Sequence, residues 1–174
     1  MEPDPILEAL RADHRQVLAE LEALERLTLA PRAFTPSHEV PAFGPAIAER
    51  LARLERRFTA HAAAEEQGLF PTLARALPAA RESLRPLQAE HDELGAMLAE
   101  LAATLRRPES AARDEQIVVR ARDLVDLLRI HIRKEEAVAF RVAERILTPA
   151  ELGAIEARSP ADPAAPPVPP TPNP

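Results

Sequence analysis

The 174-residue sequence predicts an all-α protein, an antiparallel up-down-up-down four-helix bundle closed by a short C-terminal helix. Three observations carry that prediction. The chain is rich in Ala, Leu, Glu and Arg, which favour helix. It has only four Gly, and the aromatics typical of strands are nearly absent: no Trp, no Tyr and five Phe. Four long segments repeat apolar residues at spacings of three and four, the mark of a helix with one buried face.

The first segment spans about 5–28, with Asp4 as N-cap and Pro5 at the first helical position. Residues 30–44 hold Pro31, Pro36 and Pro41 and read as a loop. The second segment spans about 45–69 and is expected to stop near Gly68 and Pro71. The third runs about 84–106, with Ser83 as cap and Pro86 tolerated in its first turn. The fourth runs about 110–146. Thr148-Pro149-Ala150-Glu151 has the form of a capping box and predicts a short fifth helix. The expected linkers are 70–82 and 107–109. We therefore place the bundle in residues 1–158 and a disordered tail in 159–174. The last fifteen residues contain eight prolines, which precludes helix or core formation. A solvated tail is expected there, with capture of a protein partner as the lesser alternative.

Composition also excludes functions. The net charge of −6 argues against a nucleic-acid groove binder, which needs a basic face. With no cysteine, disulfides and thiolate chemistry are out, and any metal site must use His, Asp and Glu. MEPDPILEALRADH has no basic stretch before an apolar run, and nothing approaches the length of a membrane span. A cytoplasmic protein without nucleic-acid or membrane partners is expected.

An internal echo runs through the chain. DHRQVLAELEAL is followed by HAAAEEQGLF, and EHDELGAMLAEL by HIRKEEAVAF. A lone His on one helix is followed by His-x-x-x-Glu-Glu on the next, twice. These residues fall within the apolar stripes. The stripes are Ile6, Leu10, His14, Val17, Leu21, Leu24; Ile47, Leu51, Leu54, Phe58, His61, Glu65; Leu84, Leu87, His91, Leu94, Leu98, Leu101; and Ile117, Ala121, Leu124, Leu128, His131, Glu135, Val138, Val142. The expected helix boundaries put the four histidines at similar levels, with His131 about one turn out of step.

A buried ionised carboxylate is strongly disfavoured unless paired or bound to a metal. Two together repel, and one would take up a proton. A cation between them removes both problems. Side chains at i and i+4 lie only about 40° apart around a helix, so His61 with Glu65, and His131 with Glu135, can reach one point. Glu66 and Glu136 lie about 100° further round and read as flanking residues. One histidine on an apolar face is ordinarily a core residue. Four at matching positions, two with Glu at the same offset, are not accounted for that way. His38 sits in the Pro-rich loop and reads as a surface residue.

Six ligands, four imidazoles and two carboxylates, are too many for one tetrahedral zinc. Calcium and magnesium prefer oxygen shells. Mixed N/O ligation suits iron or manganese. If both carboxylates bridge, each metal receives two His, two Glu oxygens and a bridging oxo or hydroxo group, with one octahedral position open. Spacing does not say how the histidines divide between the metals.

The order His14, His61-x-x-x-Glu65, His91, His131-x-x-x-Glu135, with EEQGLFP and HIRKEE around it, resembles the haemerythrin-like, HHE cation-binding family over about residues 5–157. The ferritin-like pattern, Glu-x-x-His with lone Glu ligands, fits less well. The resemblance implies two non-haem iron ions, with His14, His61, His91 and His131 as terminal ligands and Glu65 and Glu135 bridging. Oxygen-carrying haemerythrins have an extra histidine four residues after the third-helix ligand, and Gly95 stands there in this sequence. Simple O2 carriage is therefore disfavoured. The expected function is binding of, or reaction with, a small diatomic or peroxide ligand: O2, peroxide or nitric oxide. Oxygen or iron sensing, or iron handling such as repair of iron–sulfur centres, is the alternative. Phe58, Leu94, Gly95 and Leu128 are expected to line a small cavity at the site.

Overall fold

The computed structural model of the protein describes residues 4–29 and 43–156. His38 and the Pro-rich tail lie outside the described residues. Helix α1 is Pro5–Leu29. Helix α2 runs through Phe43–Ala64, a π turn at Glu65–Leu69 and Phe70–Ala76. Helix α3 is Ala80–Leu105. Helix α4 runs through Ala111–Glu135, a π turn at Glu136–Phe140 and Arg141–Ile146. Helix α5 is Pro149–Glu156. Each long helix packs on the next, and α1 also packs on α4, which closes the four-helix bundle. The fold is all-α, with no strand among the described residues.

The helix ends show why several boundaries were readable. Asp4 Oδ1 accepts from Ile6 N–H at 2.9 Å, so it caps α1 with Pro5 at the position where a missing N–H costs nothing. Ser110 Oγ accepts from Arg113 N–H at 3.1 Å and caps α4. At α5, Thr148 N–H donates to Glu151 Oε2 at 2.8 Å and Glu151 N–H donates to Thr148 Oγ1 at 3.3 Å, a reciprocal capping box.

Three expectations are corrected. Helix α2 does not stop at Gly68 and Pro71. Phe70 N–H reaches back five residues to Glu65 O, and Pro71 falls in the first turn of the resumed α-helix, where a proline is tolerated. Helix α3 begins at Ala80, so Ser83 is not its cap, and Pro86 lies beyond its first turn. The exposed position of Pro86 and Glu82 lets water satisfy the carbonyl that the proline leaves unpaired. Finally, Val138 is 37% exposed and Val142 only half-buried. The π turn in α4 inserts one residue into the helical repeat, so Ala139, Phe140 and Ala143 turn inward instead.

The remaining stripe residues are buried, and they form two apolar clusters. One, containing Leu21, Leu54, Leu98 and Leu124, fills the end near the turn between α3 and α4. The other, containing Leu7, Leu69, Leu87 and Phe140, fills the opposite end under α5. Ile155 of α5 packs on Gly68, where an added Cβ would lie 2.8 Å from Ile155 Cγ2. The four histidines and two glutamates form a polar layer between the clusters.

Candidate metal centre

His14 comes from α1, His61 and Glu65 from α2, His91 from α3, and His131 and Glu135 from α4. All six are 5% exposed or less. Their ring nitrogens and carboxylate oxygens converge, and the fourth helix is not out of step with the others. His14, His61, Glu65 and Glu135 form one group whose ligand atoms lie within 4.8 Å of one another, and His91, His131 and Glu135 form a second. The histidines thus group along the chain: α1 with α2, α3 with α4.

Each glutamate faces both groups. Glu65 Oε1 lies 3.5 Å from His61 Nε2, and Glu65 Oε2 lies 3.4 Å from His91 Nε2. Glu135 Oε2 lies 3.2 Å from His14 Nε2, while its Oε1 lies 3.0 Å from His91 Nε2 and 2.9 Å from His131 Nε2. Both glutamates sit at or beside the start of a π turn, a departure that concentrates at functional sites. Five residues after each of them, Phe70 stacks on His91 at 5.9 Å and Phe140 stacks on His14 at 5.1 Å.

Acidic residues hold three of the four outer ring nitrogens. His14 Nδ1 donates to Glu136 Oε1 at 3.0 Å, and His91 Nδ1 donates to Glu66 Oε1 at 2.8 Å. His131 Nδ1 donates to Glu90 Oε2 at 3.0 Å, and Glu90 is paired in turn with Lys134. Asp13 lies 3.9 Å from His61 Nδ1. Glu66 and Glu136 are therefore not in the inner cluster but grip its imidazoles from outside, each crossing to the other helix pair. Glu90 and Asp13 were not singled out from the sequence. Each precedes a lone histidine of the repeat, Asp13-His14 and Glu90-His91, and that shared position was the available signal.

These outer contacts fix the inner chemistry. An ionised carboxylate only accepts, so Nδ1 of His14, His91 and His131 carries the hydrogen, and a neutral ring then points a bare Nε2 inward. His14 Nε2 and His61 Nε2 face each other at 2.9 Å. Both oxygens of Glu65, Oε2 of Glu135 and Nε2 of His131 are buried with no hydrogen-bond partner. Acceptors converging without donors require positive charge among them. Without a metal, protons supply it. Burial pushes the Glu65 carboxyl up to about 7, against the pull of His61. Burial opposes charge on His61 and His91 as well. The carboxylates outweigh it, Glu65 foremost for His61 and Glu135 for His91, and raise both rings to about 10. Burial also acts on Glu135, but imidazole contacts led by His131 hold it well below the usual carboxylate range. A cation in the layer would satisfy the same atoms, so the residues present fit a metal.

Of the residues expected to line a cavity here, Phe58, Leu94 and Leu128 are buried. Phe58 meets His91 edge-on at 5.8 Å. Gly95 is a correction: it is exposed at the bundle surface, and a Cβ added there would meet nothing within 4 Å.

Residues 5–143 match the family described as the Hemerythrin HHE cation binding domain. The chain belongs to that family. No curated protein matches it. Haemerythrin-type domains bind metal, typically iron, and the buried His and Glu groups of this one can hold a metal. No helix among the described residues of this haemerythrin-type domain is long and apolar enough to cross a membrane.

Proposed function

We propose that this protein is a non-haem di-iron protein that binds or reacts with a small oxidant or gas, namely O2, peroxide or nitric oxide. His14, His61, His91 and His131 would hold the irons together with Glu65 and Glu135. The observation that carries this reading is the two-way placement of both carboxylates, one oxygen toward each half of the cluster. The half with His14 and His61 offers two imidazole nitrogens and both carboxylates, and the half with His91 and His131 offers two nitrogens and Glu135, with Glu65 Oε2 turned toward His91; such mixed sets suit iron or manganese. Three or four protein donors in each half would leave room for non-protein ligands. Gly95 adds no donor. Bound iron would supply the electron-transfer chemistry.

The chain's own residues supply the rest. Glu136, Glu66 and Glu90 keep the Nδ1 hydrogens outside and the Nε2 lone pairs inside. Phe70 and Phe140 cover His91 and His14 on the side toward α5. Val17, Leu94 and Leu128, each at most 2% exposed, close the layer from the other side. An enclosed layer with apolar walls admits a small neutral molecule more readily than a large or charged one. The test is anaerobic loading with ferrous iron, metal analysis, and visible spectra of the oxidised and reduced forms with azide, peroxide and NO. Two irons per chain and a spectral response are expected. No response to any of the three would sink the reading.

A further inference from the structure

We propose that the half of the cluster formed by His14 and His61 is the exchangeable metal position, and that Asp13 makes it so by failing to hold the His61 ring. This rests on the di-iron reading above. The inner donors do not weaken that half, since His14 and His61 converge with both carboxylates whereas His91 and His131 converge with Glu135 alone. The outer contacts do.

The repeat relates His14 to His91, His61 to His131, Glu66 to Glu136 and Asp13 to Glu90. Three of the four outer contacts are hydrogen bonds of 2.8 to 3.0 Å. The fourth is not. Asp13 is one methylene shorter than Glu90, its oxygen stops 3.9 Å from His61 Nδ1, and that nitrogen is buried without a hydrogen-bond partner. Glu90 is 16% exposed and is braced by Lys134, whereas Asp13 is 51% exposed. The residue matching Lys134 in the repeat is Ala64, which cannot brace anything.

A metal-binding imidazole is oriented, and its tautomer fixed, by the partner of its other nitrogen. His131 has that partner and His61 does not. No outer contact fixes the His61 ring about its last torsion or keeps its hydrogen off the nitrogen that should bind. Loss of such a partner weakens metal binding by about 10- to 100-fold. Asp13 and Glu90 are thus positioning residues of opposite strength.

The test uses the full chain loaded anaerobically with ferrous iron-57. Release to a ferrous chelator is followed in time, and Mössbauer spectra follow the two irons separately. Wild type should release its irons in two phases of equal amplitude, at rates differing by about 10-fold or more. The doublet left after the fast phase belongs to the His91 and His131 half. Asp13→Glu should slow the fast phase and leave the slow one unchanged. Glu90→Asp should do the reverse, speeding the slow phase alone. A substitution that merely loosened the bundle would move both phases together. A single release phase in wild type, an unchanged fast phase in Asp13→Glu, or an unchanged slow phase in Glu90→Asp overturns the proposal. Should Asp13→Glu not load, the Glu90→Asp result decides. Wild-type protein that takes up fewer than two irons overturns the di-iron reading and this one with it.

Discussion

Gly68 is where the fifth helix meets the turn that starts at Glu65, and its replacement by Ala sets two effects of known size against each other. The backbone allows the change, since no described glycine has positive φ. Ala in place of a helical Gly gains about 1 kcal/mol. Against this, the new Cβ would lie 2.8 Å from Ile155 Cγ2. That atom is on the branch carbon of a stiff side chain that is 2% exposed, so it cannot swing aside. Overpacking of this kind costs about 1–3 kcal/mol. The steric effect wins, and Gly68→Ala should destabilise by about 1 kcal/mol, lowering Tm by about 2–4 °C. Ile155→Ala alone should cost about 2–5 kcal/mol through the cavity it opens. It also removes Cγ2. In that background Gly68→Ala should change sign and stabilise by up to about 1 kcal/mol. Urea unfolding of the four metal-free proteins measures a coupling expected near 2 kcal/mol. Gly68→Ala that stabilises the otherwise intact protein, or a coupling near zero, would refute the reasoning.

The metal-free protein should lose stability toward alkaline pH. His61 and His91, raised to about 10, contribute fully below 6.5 and lose that contribution as pH rises toward 10. Glu65, raised from 4.5 to about 7, adds a further loss across that lower interval, whereas the contribution of Glu135 is present above 4.5 and lost below it. Thermal unfolding should therefore show a maximum near 4.5 and a decline above it; a melting temperature climbing from 6.5 to 10 would contradict the assignment. Metal should displace the protons and flatten the alkaline decline, visible as proton release on loading. His131→Ala and Glu135→Ala should lower iron content and thermal stability, and unchanged iron stoichiometry in both would overturn their assignment as ligands. Phe140→Ala empties a fully buried site against His14 and should cost about 3–5 kcal/mol by denaturant unfolding, with a loss under 1 kcal/mol counting against close packing there.

The sequence carried the apolar stripes, because burial of one helix face imposes a period that any reader can count. It carried the convergence of six polar residues for the same reason: a His or Glu in that register has nowhere to go but inward. It did not carry the π turns. Glu66 and Glu136 look like ordinary continuations of α-helix, and the inserted residue shows only in where the later side chains land, with Val138 out and Ala139 in. Gly68 and Pro71 are common stop signals, yet here the glycine makes room for Ile155 and the proline falls where the helix restarts. The outer acids were hard to see because they work between helices. Asp13 and Glu90 sit beside one histidine in the chain but face a different one, on the neighbouring helix.

The crossing of Glu66 to His91 and of Glu136 to His14 bears on how such a chain could arise. A peptide made of one helix pair would contain a lone histidine and the His-x-x-x-Glu-Glu run, but not the acid that orients its lone histidine. That acid would have to come from a second copy. A half-length ancestor could complete the arrangement only as a pair, at whatever concentration the cell supplied. Joining the copies through residues 106–110 replaces that encounter with an effective concentration of about millimolar or more. It also ends the requirement that the copies be identical. Asp13 opposite Glu90, and Ala64 opposite Lys134, are differences that a pair of identical peptides could never have acquired.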